Sequence, residues 1–184
     1  FNNQFGLELY PTIWLEKNSW NFVGEYFVLN FPQETWGLGG DSPDSHETFV
    51  DGKQIRFHQN VLKGILPNLA IGIGYQYDKH FELEIEDDEA RTKHPNLPET
   101  IKSTTVSSGI SLQIVYDTRK NINNPQQGMY AGITYLYNDT ALGSDDKWQS
   151  LFMDFRKYYS IPFARSILGF RSYYWTILSG DVPY

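Results

Sequence analysis

The residues with chemical potential in this sequence are a scattered set of acids, bases and histidines. Glu25, Arg56, Asp154, Arg156 and Arg171 each fall inside an otherwise alternating stretch. Paired carboxylates and bases can run glycosidic or acyl chemistry. The simpler account is a polar surface lined with both signs, whose groups pair or stay hydrated. His46, His58, His80 and His94 show neither H-x-x-x-H nor H-E-x-x-H spacing, so they do not form a zinc motif. The run Glu82, Glu84, Glu86, Asp87, Asp88, Glu89 supplies oxygens that a hard divalent cation takes. It lacks the EF-hand spacing and glycine, and reads as a solvated acidic loop. No serine stands in a G-x-S-x-G context. Gly39-Gly40 with Asp41 and Asp44 makes a turn-rich loop, because no helix and no Lys-Ser/Thr pair follows to cradle a phosphate. Asn138-Asp139-Thr140 matches a glycosylation acceptor pattern. With no cysteine, thiol nucleophiles, disulfides and cysteine-ligated metals are excluded. The expectation is a protein with no catalytic residue, no metal and no cofactor, and not an enzyme.

The elements that must position these groups are strands. Helical i, i+3, i+4 spacing with caps is nearly absent, and period-two alternation recurs. Val106, Ile110, Leu112, Ile114 and Tyr116 oppose Ser107, Gly109, Ser111, Gln113 and Val115. Leu151, Met153 and Phe155 alternate with Ser150, Asp154 and Arg156. Leu168, Phe170 and Tyr174 alternate with Gly169, Arg171 and Tyr173. The same reading predicts strands near 5–16, 20–31, 54–63, 69–77, 106–116, 129–138, 149–158 and 166–176. Each is roughly ten residues, near the ~9–11 that cross a bilayer at a tilt. Connections alternate short and long, with long segments at 32–53 and 82–103; only 117–128 is long for its class.

Composition narrows the partners. The 184 residues carry a net charge of −7, which argues against nucleic acid. Mean hydropathy is −0.47, and no apolar run is long enough for a membrane-spanning helix. Yet 16% of residues are aromatic, 13 of them Tyr. Such rings belong at interfaces, including the girdles of an outer-membrane barrel.

Alternation by itself fits a soluble β-sandwich or ligand-binding barrel as well as a membrane barrel; what differs is which face is wet. Three features favour the membrane barrel. Large charged groups sit mid-strand. The strands exceed the ~5–6 residues usual in globular sheets. Tyr and Trp gather near predicted strand ends: Trp20, Tyr75, Tyr77, Tyr116, Tyr135, Tyr137, Trp148, Tyr158, Tyr159, Tyr173, Tyr174 and Trp175. The chain opens in a strand at Phe1 and closes on the loop-like Asp181-Val182-Pro183-Tyr184, so a piece of a longer protein is expected.

One segment is more specific. Ser107–Tyr137 reads SSGISLQIVYDTRKNINNPQQGMYAGITYLY: a strand ending Tyr-Asp-Thr-Arg, a turn with Asn-Pro and Gly, then a strand. It resembles the barrel of the bacterial surface-antigen family, the BamA/TamA superfamily, whose members carry Asp-x-Arg, Pro and Gly at a periplasmic turn. Here these are Asp117, Arg119, Pro125 and Gly128, which read as a structural turn motif in which the Asp–Arg pair can lock the turn, with direct contact to a client or accessory protein as the alternative. Gly180-Asp181-Val182-Pro183-Tyr184 resembles the stretch that leads into the family's large loop, so the resemblance is specific across Ser107–Tyr184; Phe31–Gly40 resembles the opening of an external loop, and across Phe1–Ser103 the resemblance is looser but in register. The resemblance implies an all-β, antiparallel up-and-down transmembrane β-barrel, with about eight of sixteen strands present, roughly the fourth to the eleventh. It implies that residues 1–184 are part of one barrel domain, with no POTRA domain, and that the Arg-Gly-Phe/Tyr loop lies beyond them. Glu25, Arg56, Asp154, Arg156 and Arg171 would face the lumen. The implied location is the bacterial outer membrane, and the implied role is insertion, assembly or translocation of proteins there. The implied partners are outer-membrane lipid and lipopolysaccharide (the latter through divalent ions on acidic loops), unfolded outer-membrane clients and accessory subunits. A pore, adhesin or lipid-remodelling barrel is the alternative within the same fold.

Overall fold

The computed structural model describes residues 4–30, 32–36, 43, 45, 47–85 and 103–182. Ten strands form one antiparallel sheet: β1 (Phe5–Leu9), β2 (Thr12–Trp14), β3 (Trp20–Asn30), β4 (Gln33–Thr35), β5 (Thr48–Leu66), β6 (Leu69–Ile85), β7 (Thr104–Asp117), β8 (Gly128–Asn138), β9 (Trp148–Ile161) and β10 (Ser166–Gly180). Their order is β1-β3-β5-β6-β7-β8-β9-β10, with β2 on β3 and β4 on β5. Each strand on this path pairs with the next, an up-and-down meander. The first and last members do not pair with each other among the described residues, so the sheet is open.

The expected single strand over 5–16 is interrupted. Leu9 pairs with Tyr26 and Thr12 with Val23, so the register runs unbroken past Tyr10–Pro11. Pro11 has no N–H to give the ladder, although its carbonyl accepts from the Gly24 N–H at 2.9 Å. The strand loses a rung without changing register, and a 3-10 turn at Glu16–Asn18 then closes the hairpin. Two expected loops are shortened. Segment 32–53 gives up β4 and the start of β5, and segment 82–103 gives up the end of β6. A bulge sits there, with the register shifting between Asp51 and Lys53. Glu82 takes the extra position at φ 54°. The parts of these two segments that include Asp41, Asp44, His46, Glu86–Glu89 and His94 lie outside the described residues, as do Phe31, Gly37–Gly40, Pro183 and Tyr184.

Turns gather by length at the two ends of the strands. Glu16–Asn18, Pro67–Asn68, 118–127 and Pro162–Arg165 lie at one end, here called the tight-turn end. Asn68 and Arg165 adopt positive φ (65° and 47°) to close two of them. The segment between β8 and β9 lies at the opposite, long-loop end.

The faces are inverted relative to a soluble protein. Among the described residues the buried hydrophobics are Phe27, Leu62 and Trp148, all on the polar face by register. Register places Leu7, Val28, Phe57, Ile73, Leu112, Ile133, Met153 and Tyr174 on the other face, and all of these are exposed. No second sheet covers that face among the described residues, which removes the sandwich reading. An apolar face this large is stable when it meets a non-aqueous medium. Register also corrects the girdle expectation. Trp148, Tyr158, Tyr173 and Trp175 lie on the polar face with Asp154 and Arg171. Neighbours in Tyr173-Tyr174-Trp175 must point to opposite faces, so a cluster of rings in sequence splits between them.

At the long-loop end, residues 139–147 fold back onto β7, which extends past its pairing with β8. The Asp139 N–H donates to the Ser108 carbonyl, and Asp145 both donates to the Val106 carbonyl and accepts the Val106 N–H. Backbone groups that would form a bare edge are thereby satisfied. Asp139 caps the 3-10 turn Thr140–Leu142, and Gly143 at φ 91° ends it. The Tyr137 hydroxyl, the Ala141 N–H and the Lys147 ammonium hold the Asp139 carboxyl well below its usual range. A depressed folded-state pKa contributes stability that is present above the unfolded value, near 3.9, and is lost as pH falls below it. Asp139→Ala is therefore expected to speed amide hydrogen exchange across 139–144 at neutral pH. The difference from wild type should vanish in strong acid. Equal exchange at neutral pH would refute this role for the cap. Asn138, in the glycosylation pattern, is 1% exposed, so its side chain is not presented as an acceptor.

Candidate functional site

The polar face carries three side-chain networks that cross strands. The first begins at the turn after β7. The Asp117 carboxylate accepts the Arg119 backbone N–H at 3.0 Å, Nε at 2.9 Å and Nη2 at 2.8 Å. This is an Asx-type turn closed by a two-pronged fork. The Arg119 side chain is 5% exposed, and its charge-assisted bonds hold the guanidinium pKa up. Thr118 and Met129 bind each other across the turn mouth, the Thr118 N–H donating to the Met129 carbonyl and the Met129 N–H to Thr118 Oγ1, both at 2.9 Å. Gly128 stands at φ 107°, where an added Cβ would lie 2.8 Å from the Thr118 carbonyl oxygen. Pro125 is half-buried within the turn. The four motif residues thus lie in one turn, with Asp117, Arg119 and Gly128 at its close contacts.

The Arg119 guanidinium stacks on Tyr130 at 4.8 Å from the ring centre, and Arg156 approaches the same ring at 5.2 Å. Arg156 and Arg171 both donate to Asp154, whose side chain is 5% exposed. A chain of contacts therefore runs Asp117–Arg119–Tyr130–Arg156–Asp154–Arg171 from β7 to β10. Asp154, Arg156 and Arg171, named from sequence, are brought together. Tyr130, which joins them to the turn motif, has no signal in sequence except its even spacing from Gly128 and Gly132.

The second network lies on β3, β5 and β6. Arg56 donates to Asp78 at 2.6 Å and to Glu25 at 2.8 Å, and its guanidinium covers the Phe27 ring at 4.7 Å. His58 Nε2 lies 2.6 Å from the other Asp78 oxygen. Glu25 and Arg56 meet as partners, while the sequence reading missed Asp78, the hub. His80 lies inside β6 on the same face, beyond the strand expected over 69–77, because β6 continues to Ile85.

The third network is neutral. Asn60 Oδ1 accepts from Ser111 Oγ at 3.2 Å and from Gln113. An added Cβ at Gly74 would lie 2.0 Å from that same oxygen, so this position keeps room for the knot.

These arrangements neutralise charges across a sheet. None pairs a nucleophile with a base and an orienting group. Among the described residues no group of three acids or histidines could hold a metal ion.

Comparison with curated proteins gave no match. The sequence does match the Omp85 superfamily domain over residues 1–180, nearly the whole chain. Members of that superfamily are outer-membrane proteins that as a group serve protein assembly and translocation. An open up-and-down sheet with one apolar and one ion-paired face is the architecture such a barrel wall requires, and by this match the chain belongs to the Omp85 superfamily.

Proposed function

We propose that these residues form a wall of a BamA/TamA-type barrel whose protein inserts, assembles or translocates other proteins at the bacterial outer membrane. The observation that carries the reading is the single sheet with an uncovered apolar face and a cross-linked polar one, in a chain of this superfamily. The apolar face meets lipid and the polar face lines the lumen, with Glu25, Arg56, Asp154, Arg156 and Arg171 directed into it. The tight-turn end faces the periplasm. No covalent step is involved. Backbone groups left open in lipid cost several kcal/mol each, so an unfolded client strand gains by pairing with an available sheet edge. In this scheme the β3–β10 wall is the part that does not open, and its three networks keep it rigid while a seam elsewhere works. Unfolded outer-membrane proteins are the clients, and accessory subunits assist.

The test is client folding. The intact protein in phosphatidylcholine vesicles is expected to speed the insertion of an added unfolded outer-membrane barrel well above that of protein-free vesicles. Ion conductance without any gain in client folding would instead support a pore. A monodisperse protein with strand-rich circular dichroism in the absence of detergent would overturn the membrane reading altogether.

A further inference from the structure

Charge is divided along the strand axis. The tight-turn end carries Lys17, Lys63, Lys120, Lys157 and Arg165 against Glu16, while Asp117 and Arg119 cancel each other. The long-loop end carries Glu34, Glu47, Asp51, Asp145, Asp146 and Asp181, with Lys53 paired to Glu82, Lys147 to Asp139, and Lys79 over the Phe81 ring. The division reaches the apolar face itself. Register places Trp20 and Lys63 opposite each other on that face, and Lys157 and Tyr159 on it four strands away. The Lys63 ammonium lies 5.3 Å from the Trp20 ring centre, and the Lys157 ammonium 5.3 Å from that of Tyr159. The neighbouring turn presents Phe163, 93% exposed, beside Arg165. No carboxylate shares the apolar face at this end among the described residues. On the rest of that face the residues around these cations are apolar, such as Ile71 and Phe170.

A lysine on a lipid-facing surface extends its stem along apolar neighbours and places its ammonium in the headgroup layer. An aromatic ring beneath it prefers the same depth. Two such pairs, on strands about 19 Å apart at ~4.8 Å per strand, are too far separated to share one headgroup. They form a rim of separate contacts. The chemistry that matches a row of lone cations at headgroup depth is the phosphate of an anionic glycerophospholipid.

We propose that the tight-turn rim, through Lys63 over Trp20, Lys157 over Tyr159, and Arg165 beside Phe163, selects anionic phospholipid in the leaflet it touches. This rests on the reading that the apolar face lies in a bilayer. The long-loop rim carries a comparable pair on its apolar face, the Lys79 ammonium 5.4 Å from the Phe81 ring centre, so the selection is weighted to the tight-turn rim, where three cations stand. The sheet is thereby oriented by charge, with its more cationic rim at the leaflet of simple anionic lipids.

The test places the intact protein in phosphatidylcholine vesicles with a trace of spin-labelled phosphatidylglycerol or spin-labelled phosphatidylcholine. It reads the share of each label immobilised at the protein surface. The phosphatidylglycerol label is expected to be retained roughly three- to five-fold more than the other, which is the order of one lysine at a charged surface. The ratio should fall as salt rises from ~20 mM to ~0.5 M and screening shortens. Lys63→Gln, Lys157→Gln and Arg165→Gln combined should lower it well below the value left by Lys79→Gln, which removes one comparable pair at the opposite end, whereas Lys147→Gln, whose charge is already paired to Asp139, should leave it unchanged. Should the triple variant not fold, single Lys63→Gln and the salt series decide. A ratio near one in wild type, or one indifferent to salt or to these substitutions, overturns the proposal. Immobilisation of neither label would overturn it together with the functional reading, while equal immobilisation of both removes this proposal alone.

Discussion

Asp154→Leu is expected to be among the most destabilising single changes on the polar face, lowering folded stability by about 2–3 kcal/mol. Its carboxylate is nearly buried and accepts from Arg156 and Arg171 together. Removing one partner of a buried ion pair costs roughly 3–5 kcal/mol, because the partner is left charged and unsatisfied. Here the cost is discounted because Arg171 is half exposed and recovers water. Arg156 has less recourse. Its remaining contact is the Tyr130 ring, which Arg119 already shares. Two guanidiniums on one ring without the intervening carboxylate repel each other. Urea unfolding in vesicles measures the loss. Asp154→Asn should cost less, since an amide oxygen still accepts. Adding Arg156→Gln to Asp154→Leu should recover part of the stability, a coupling that a double-mutant cycle reads directly. Strict additivity would mean that the network is not a unit.

Gly128→Val is the second large effect, at about 2–3 kcal/mol for a β-branched residue forced to positive φ. The backbone conformation is only half of the reason. The new Cβ would also stand 2.8 Å from the Thr118 carbonyl oxygen, which is fixed because Thr118 and Met129 are bonded both ways. Relief requires opening those bonds, which would disengage Asp117 and Arg119 as well. The comparison that isolates the contact is Gly143→Ala, where φ is 91° but nothing lies within 4 Å of an added Cβ. That change should cost no more than about 1 kcal/mol, the conformational part alone. Gly128→Ala should cost clearly more. The heat-modified shift between folded and unfolded bands, followed against temperature, ranks the three; equal midpoints for Gly128→Ala and Gly143→Ala would refute the steric argument.

Where the strands cross an apolar medium, the sequence displays them clearly, and the eight-strand order follows. It stops displaying them where they leave it. β5 begins at Thr48 and β6 runs to Ile85, yet Asp78-Lys79-His80-Phe81 carries no apolar alternation to mark the continuation. Hydropathy reports which face is dry, whereas pairing reports only that backbone groups meet. Once both faces are wet, pairing persists and the hydropathy signal ends. The same reason hides Pro11, since a missing donor leaves no trace in side-chain polarity. In the candidate site, types were legible and partners were not. Arg56 was visible as a charge among apolar residues. Its hub, Asp78, needed the register of β5 against β6, which the bulge at Glu82 leaves unaltered from Lys53 to Gly64. The turn motif was legible because its partners are two residues apart. Tyr130 was not, because what matters about it is two arginines from different elements.

The excess of bonded length over dry length has a mechanical consequence. β5 has 19 residues, about 60 Å at ~3.3 Å each, against a hydrocarbon core of ~30 Å. A strand that ended at the headgroups would have to unpair, tilt or drag lipid whenever the bilayer thickened. The β5–β6 ribbon need do none of these, because its ladder continues on the far side of the boundary and no rung is broken by riding up or down. Vertical position is then governed by side chains alone, by the rings and cations that prefer one depth. The β5–β6 ribbon has play along its own axis, like a piston rod longer than its cylinder, while the width of the wall, held by the cross-strand networks, has almost none.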